Sequence, residues 1–256
     1  MLLKKLLKVF LPYGLVRMYQ RRGEFPSMSD IDFQQNFAEK SSLLQDCGRF
    51  VCKWEDRLPC LGDATAQTGF DYHYIYHPAW AARILAKNKP DCHYDIGSSL
   101  AFVSLVSAFF PVRFFDYRPA PLTLWDLSCG HANLLCLPFE DASIGSLSCM
   151  HVVEHVGLER YGDTFDPQGD IKAMRELIRV LKPGGTLLFV VPLGEHAIIQ
   201  YNAHRIYTYS QVLSFFSSLN LKSFAFVKDD GVFVQRASCE DTVGQRYGCG
   251  CFYFSK

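Results

Sequence analysis

The run from Leu137 to Pro192, LPFEDASIGSLSCMHVVEHVGLERYGDTFDPQGDIKAMRELIRVLKPGGTLLFVVP, leaves few folds open. Behind a polar turn at Glu140–Ser143, Leu147–Met150 is a short apolar strand. Ile171, Met174, Leu177, Ile178 and Leu181 then recur at three-to-four spacing, which gives a helix one apolar face. Lys182-Pro183-Gly184-Gly185 stops that helix, because proline cannot continue it and glycine accepts a left-handed cap. Thr186–Val191 is a continuous β-rich run, as expected of a strand buried on both faces. Strand, helix, turn and strand in this order form the right-handed crossover of a parallel sheet, so the fold class is α/β.

A chain of 256 residues accommodates one large α/β domain with an extension. The expected organisation is a basic amphipathic segment at 1–22, an extension at 23–70 and the α/β domain at 71–256. Hydrophobic residues make up 49%, enough for a real core, and the formal net charge is zero. A neutral chain carries no global electrostatic footprint for nucleic acid, which counts against that substrate class. The ten cysteines form no CxxC pair, so neither a zinc ribbon nor a thioredoxin motif is supported. Their scatter through apolar segments fits a reducing, cytoplasmic setting.

His93-Tyr94-Asp95-Ile96-Gly97-Ser98-Ser99 reads as a first strand and its loop. An acid at a strand end followed by glycine lets the backbone approach a nucleotide. Val112–Phe115 is the second strand and ends in Asp116, about 20 residues beyond the loop, where a carboxylate accepts ribose hydroxyls. A NAD-dependent enzyme would place the same acid, but the sequence lacks GxGxxG. Ser99–Phe110 between them is apolar nearly all round and is expected to be a buried helix. Leu122–Leu127 is expected as the third strand.

The LPFxDxS turn, the EHV segment after the fourth strand and the LKPGG turn before the fifth resemble, in that order, the class I S-adenosylmethionine-dependent methyltransferases. GLERYGD and NAHRIY (202–207) are similar to a methyltransferase-like family of unassigned function. The resemblance implies a three-layer, Rossmann-like sandwich with a mostly parallel seven-stranded sheet and an antiparallel last strand. It implies S-adenosylmethionine as cofactor, held by Asp95, Gly97 and Ser98 at the loop, Asp116 at the ribose, and Asn133 and Leu134 at the adenine. The family's D/E-x-G-x-G-x-G is thinned here, with Ser99 and Ala101 at its second and third glycines. Phe70–Asn88 reads as an aromatic loop leading into a helix from Pro78. In the family such a segment covers the cofactor, making Tyr74, with His73 and His77, candidates at the methionine end.

His151-Val152-Val153-Glu154-His155 spells HxxEH, the inverted zinc-peptidase motif, but it follows a strand directly rather than lying in a long helix. Some O-methyltransferases, those of ubiquinone synthesis and of small-RNA 2′-O-methylation, carry ExxEH here and hold a divalent cation. The small-RNA enzymes add a histidine matching His204. The resemblance therefore gives His151, Glu154, His155 and His204 two open roles: ligands of a cation that acidifies an acceptor hydroxyl, or a metal-free site with His151 as general base.

Gly157–Gly169 is a polar insertion in which Asp163, Asp166 and Asp170 either line a polyol rim or serve as turn and cap residues, Asp170 as the helix N-cap. A helix at Gln211–Leu219 opened by Thr208 or Ser210, and strands at Lys222–Val227, Gly231–Gln235 and Cys249–Phe254, complete the sheet. Ser29–Leu44 could hold a helix, and Lys53–Gln67 reads as irregular. Lys4, Lys5, Lys8, Arg17, Arg21 and Arg22 oppose a leucine face in 1–22, a pattern suited to peripheral membrane contact but too short to span a bilayer. The acceptor expected is a small molecule or glycan hydroxyl. The rival expectation is a non-catalytic protein that keeps the fold for binding or scaffolding.

Overall fold

The computed structural model describes residues 28–46 and 48–256, so the basic segment 1–22 lies outside the described residues. The chain divides into two units, 1–71 and 72–256. In the first, helix α1 (Asp30–Asp46) is opened by Ser29, which exchanges hydrogen bonds with Asp32. Trp54 packs edge-on against Phe37, with the Arg57 guanidinium 4.1 Å from its ring. No residue of α1 is buried. No described helix is long and apolar enough to cross a membrane.

The second unit is built on a sheet ordered β3-β2-β1-β4-β5-β10-β8-β9. Its strands are β1 (His93–Ile96), β2 (Val112–Asp116), β3 (Leu127–His131), β4 (Ile144–Met150), β5 (Leu181–Leu193), β8 (Asn220–Val227), β9 (Phe233–Val234) and β10 (Gly248–Ser255). The first five pair in parallel; β10 runs antiparallel between β5 and β8. The two-residue β9 lies within the strand expected at Gly231–Gln235 and pairs with β8, so the sheet has eight strands where the resemblance implied seven. A hairpin of β6 (Ile198–Gln200) and β7 (His204–Ile206) stands apart.

Period-two alternation splits the core. Leu187, Phe189 and Val191 face one layer with Leu147, Cys149 and the apolar stripe of helix α4 (Gly169–Val180). Leu188 and Val190 face the other with Met150, Cys249, Cys251 and helices α2 (Tyr72–Asn88) and α3 (Leu100–Val106). Helix α5 (Tyr209–Phe215) starts at Thr208, whose hydroxyl accepts from Gln211 N while the Gln211 amide oxygen accepts from Thr208 N.

Four local expectations are corrected. The third strand lies at Leu127–His131, and Leu122–Leu127 is a turn closed by an isolated bridge between Leu124 and Leu127. Helix α2 begins six residues before Pro78, which sits inside it. The helix after the glycine loop is only seven residues long, and Leu105 and, beyond its end, Phe109 are exposed. Asp170 is not an N-cap: the helix opens at Gly169, and the buried Asp170 carboxylate accepts the Tyr207 hydroxyl at 2.9 Å.

Candidate active site

Gly97 leaves β1 with φ +71°, a conformation that costs a side-chain-bearing residue about 1–2 kcal/mol. A Cβ there would lie 3.0 Å from Val152 Cγ1 and 3.6 Å from Asp116 Oδ2. The two parallel strands thus bring Asp116 against the glycine, and Gly97 N donates to Phe115 O at 2.7 Å. Asp116 is half-buried; its Oδ1 accepts from Arg118 N at 2.7 Å, and among the described residues nothing donates to Oδ2. Ala132 N donates to Asp116 O, which sets Asn133 and the buried Leu134 beside it. Asn133 Oδ1 already accepts from Leu135 N at 2.9 Å, leaving its second lone pair.

Asp95 and Ser98 turn inward rather than towards a ligand. Asp95 is fully buried; its carboxylate accepts from Ser98 N at 3.0 Å and from the Ser148 hydroxyl. Ser98 Oγ accepts from Met150 N at 3.1 Å, lacing the loop to the end of β4. Burial pushes the Asp95 carboxyl up to about 6, against those hydrogen bonds and with the neighbouring Asp116 charge. Ser148 donates to Asp95, so it accepts from His93 Nε2–H at 2.8 Å, and His93 Nδ1 accepts from the Ser146 hydroxyl at 2.8 Å. This neutral imidazole, held down to about 3 by burial, was missed in the sequence. The period-two spacing of His93 with Asp95 and of Ser146 with Ser148 is the signal that could have found it.

Directly after β4, His151 adopts φ +58°, a strained setting for a bulky residue, with its N–H bonded to Val190 O at 2.8 Å. Its Nδ1 donates to Glu154 Oε1 at 2.8 Å, and its Nε2 faces Cys249 Sγ at 3.3 Å. Both ring nitrogens of His151 thus have partners, and the one at Nε2 is a thiol. Burial raises the Glu154 carboxyl, but the His151 hydrogen bond and the imidazoles around it outweigh that and hold it below the ordinary range. Its Oε2 is buried without a partner.

His155 Nδ1 donates to Ala203 O at 2.6 Å, which leaves Nε2 as an acceptor 3.7 Å from Glu154 Oε1. Burial lowers the His155 pKa, and Glu154 opposes that. His204 on β7 stacks on Tyr247, its ring 6.2 Å from that of His155 and its Nε2 buried without a partner. Burial takes it down to about 4. Of the predicted ligands, Glu154 meets both His151 and His155, but with His204 the four do not close on one point. Among the described residues, the three donors that lie within 4.8 Å of one another are those of His73, His151 and Cys249. Helix α2 delivers His73, His77 and Tyr74 to this place, with ring centroids 5.3, 5.1 and 5.5 Å from that of His151.

In comparisons with known proteins, the family described as "Caenorhabditis protein of unknown function, DUF268" matches residues 142–231. A search of curated proteins finds no match. The chain is similar to the Burkholderia thailandensis 1,6-didemethyltoxoflavin-N1-methyltransferase, solved with bound 1,6-didemethyltoxoflavin and S-adenosylhomocysteine: TM-score 0.52 at 10% identity, covering 91% of this chain and 92% of that one. The N-methyltransferase NodS of Bradyrhizobium japonicum, also with S-adenosylhomocysteine, aligns at TM-score 0.47 and 13% identity over 85% of this chain and 98% of that one.

The fold is that of the class I methyltransferases.

Within a methyltransferase fold the observed geometry acquires an orientation. Ligands of open α/β sheets bind outside the carboxyl ends of the strands where the order reverses, here between β1 and β4. Gly97, Asp116 and His151 all stand at those ends. The insertion beneath them is structural: Asp163 accepts from Gly157 N at 2.6 Å, and Asp166 pairs with Lys172 at 2.6 Å. Asp163, Asp166 and Asp170 therefore serve the turns and braces, not a polyol rim.

Proposed function

We propose that this chain is an S-adenosylmethionine-dependent methyltransferase acting on a hydroxyl oxygen of a sugar, glycan or other small acceptor. The carrying observation is three groups at and just beyond the carboxyl ends of β1, β2 and β4. They are a glycine whose φ and surroundings exclude a side chain, an aspartate oxygen left for a diol, and the Glu154–His155 pair. When bound, the sulfonium supplies an already activated methyl, so the protein's tasks are binding, orientation and proton removal.

Gly97 admits the cofactor's close approach, and Asp116 Oδ2 accepts from the ribose hydroxyls. Asn133 keeps one lone pair for the adenine amino group, against the apolar Leu134. Tyr74 lies at the methionine end. His155 is the base: its Nδ1–H is committed to Ala203 O, it is neutral near pH 7, and a proton arriving on Nε2 meets the Glu154 carboxylate. The His204 ring lies 6.2 Å from that of His155. The basic pattern of 1–22 supports peripheral attachment at a cytoplasmic membrane face, which would suit a lipid-linked acceptor.

The test is transfer of labelled methyl from S-adenosylmethionine to a panel of glycans and polyols. His155→Ala should lower turnover by ~10²–10⁴-fold while leaving cofactor affinity in place; unchanged turnover would remove His155 from the chemistry. The inward turn of Asp95 and Ser98 favours a second reading, a fold kept for binding alone. A melting temperature unmoved by millimolar S-adenosylhomocysteine would support that reading.

A further inference from the structure

We infer that His73, His151 and Cys249 form a site for a zinc-type ion, separate from the Glu154–His155–His204 group. Their donor atoms lie within 4.8 Å of one another. Zinc bonds of about 2.0–2.3 Å place tetrahedral donors about 3.3–3.8 Å apart. His151 Nε2 and Cys249 Sγ already stand at 3.3 Å. Two imidazoles and a thiol form a borderline-soft set that suits zinc and excludes magnesium or calcium.

The second observation lies in how the rings are held. A ligating histidine donates its other N–H to a carboxylate or carbonyl, which fixes the tautomer. His151 donates Nδ1–H to Glu154 Oε1 at 2.8 Å. His73 hydrogen-bonds the main chain of Tyr247. His77, fully buried, donates Nδ1–H to His73 O at 2.7 Å, and its Nε2 has no partner. That orphaned nitrogen, on a ring 5.1 Å from His151, borders the site but is not one of the three donors that lie within 4.8 Å of one another. Cys249 gives up its S–H proton on binding, so uptake of the ion releases a proton. Glu154 then links two functions through one oxygen, bracing the metal-bound His151 on one side and facing His155 Nε2 on the other.

The experiment loads chelator-stripped full-length chain with zinc alone, and separately with cobalt(II), without any methyl donor. Its outcome is therefore independent of the methyltransferase reading. About one ion per chain should bind, and the cobalt(II) form should show thiolate-to-metal charge transfer in the near ultraviolet. Cys249→Ser should abolish that band, and His73→Ala should weaken zinc binding at least ~100-fold. Glu154→Gln, one shell out, should weaken it ~10–100-fold. Cys251→Ser, whose thiol lies 3.9 Å from that of Cys249, should leave stoichiometry and spectrum unchanged. Failure of the wild-type chain to take up zinc at micromolar free metal, or a cobalt(II) spectrum without thiolate character, would overturn the site even if a variant fails to fold.

Discussion

Gly97 is the residue whose replacement says most. At φ +71° beside Val152 and Asp116, alanine must accept a left-handed backbone and press on both neighbours. Gly97→Ala should lose about 1–2 kcal/mol in urea unfolding and weaken cofactor binding together; an unchanged midpoint would mean that the loop is slack. His93 offers a second test. It is sealed between Ser146, Ser148 and the rings of Phe102 and Phe110, with its pKa held to about 3 in the folded chain. Because the folded pKa lies below the unfolded value near 6.5, its contribution is present above that pH and is lost as pH falls. At pH 5 the loss is about 2 kcal/mol. Asp95 works in the opposite sense: with its pKa raised to about 6, its contribution is present below the unfolded value near 3.8 and lost as pH rises through 6. It returns about 1 kcal/mol at pH 5 relative to pH 7. Melting should therefore fall from pH 7 to pH 5, and His93→Gln should shift that change by about 2 kcal/mol towards stabilisation at pH 5. A wild-type profile that rises towards pH 5 would contradict the buried neutral imidazole.

At the level of elements, the LPFED turn shows what a motif can be for. Arg179, near the end of α4, donates to Leu137 O and Phe139 O at 3.0 and 2.8 Å and pairs with Glu176 and Asp141. Glu176 in turn accepts from Leu137 N at 2.7 Å. The turn before β4 is thus tied to the helix after it. Arg179→Ala strips the carbonyls of Leu137 and Phe139 of their donor and should cost about 1–3 kcal/mol, read as a lower urea midpoint with the residues of the candidate site chemically intact. A midpoint within error of wild type would make the network decorative. The strands β4 and β5 and helix α4 were legible because apolar periodicity is strong there. The start of α2 was not, since Pro78 signals a first turn; the helix instead runs through it, with the His77 ring bonded to His73 O. The third strand slipped because Leu122–Leu127 is more apolar than the Leu127–His131 stretch that pairs with β2.

Across the whole molecule, the sheet order follows from crossover units that the sequence displays in turn, so the architecture could be read before any coordinate. The site could be read only in part. Asp116 and His151 stand at the carboxyl ends of β2 and β4, Glu154 and His155 follow in the next turn, and His204 comes from the separate β6–β7 hairpin. Tautomer and orientation are not written in residue spacing: Asp95 turns inward because Ser98 and Ser148 offer it donors, and His151 is spent on Glu154 and Cys249. Cys249 comes from β10, far off in sequence, and joins the site only through antiparallel pairing with β5. One adenosine-bearing ligand is expected at the carboxyl ends of β1 and β2. Calorimetric titration of S-adenosylhomocysteine into the wild-type chain and Asp116→Ala tests it most directly. One site per chain should be found, weakened at least ~10-fold when the two ribose hydrogen bonds to a charged acceptor are removed. No heat at millimolar ligand, or equal affinity in both proteins, would contradict it.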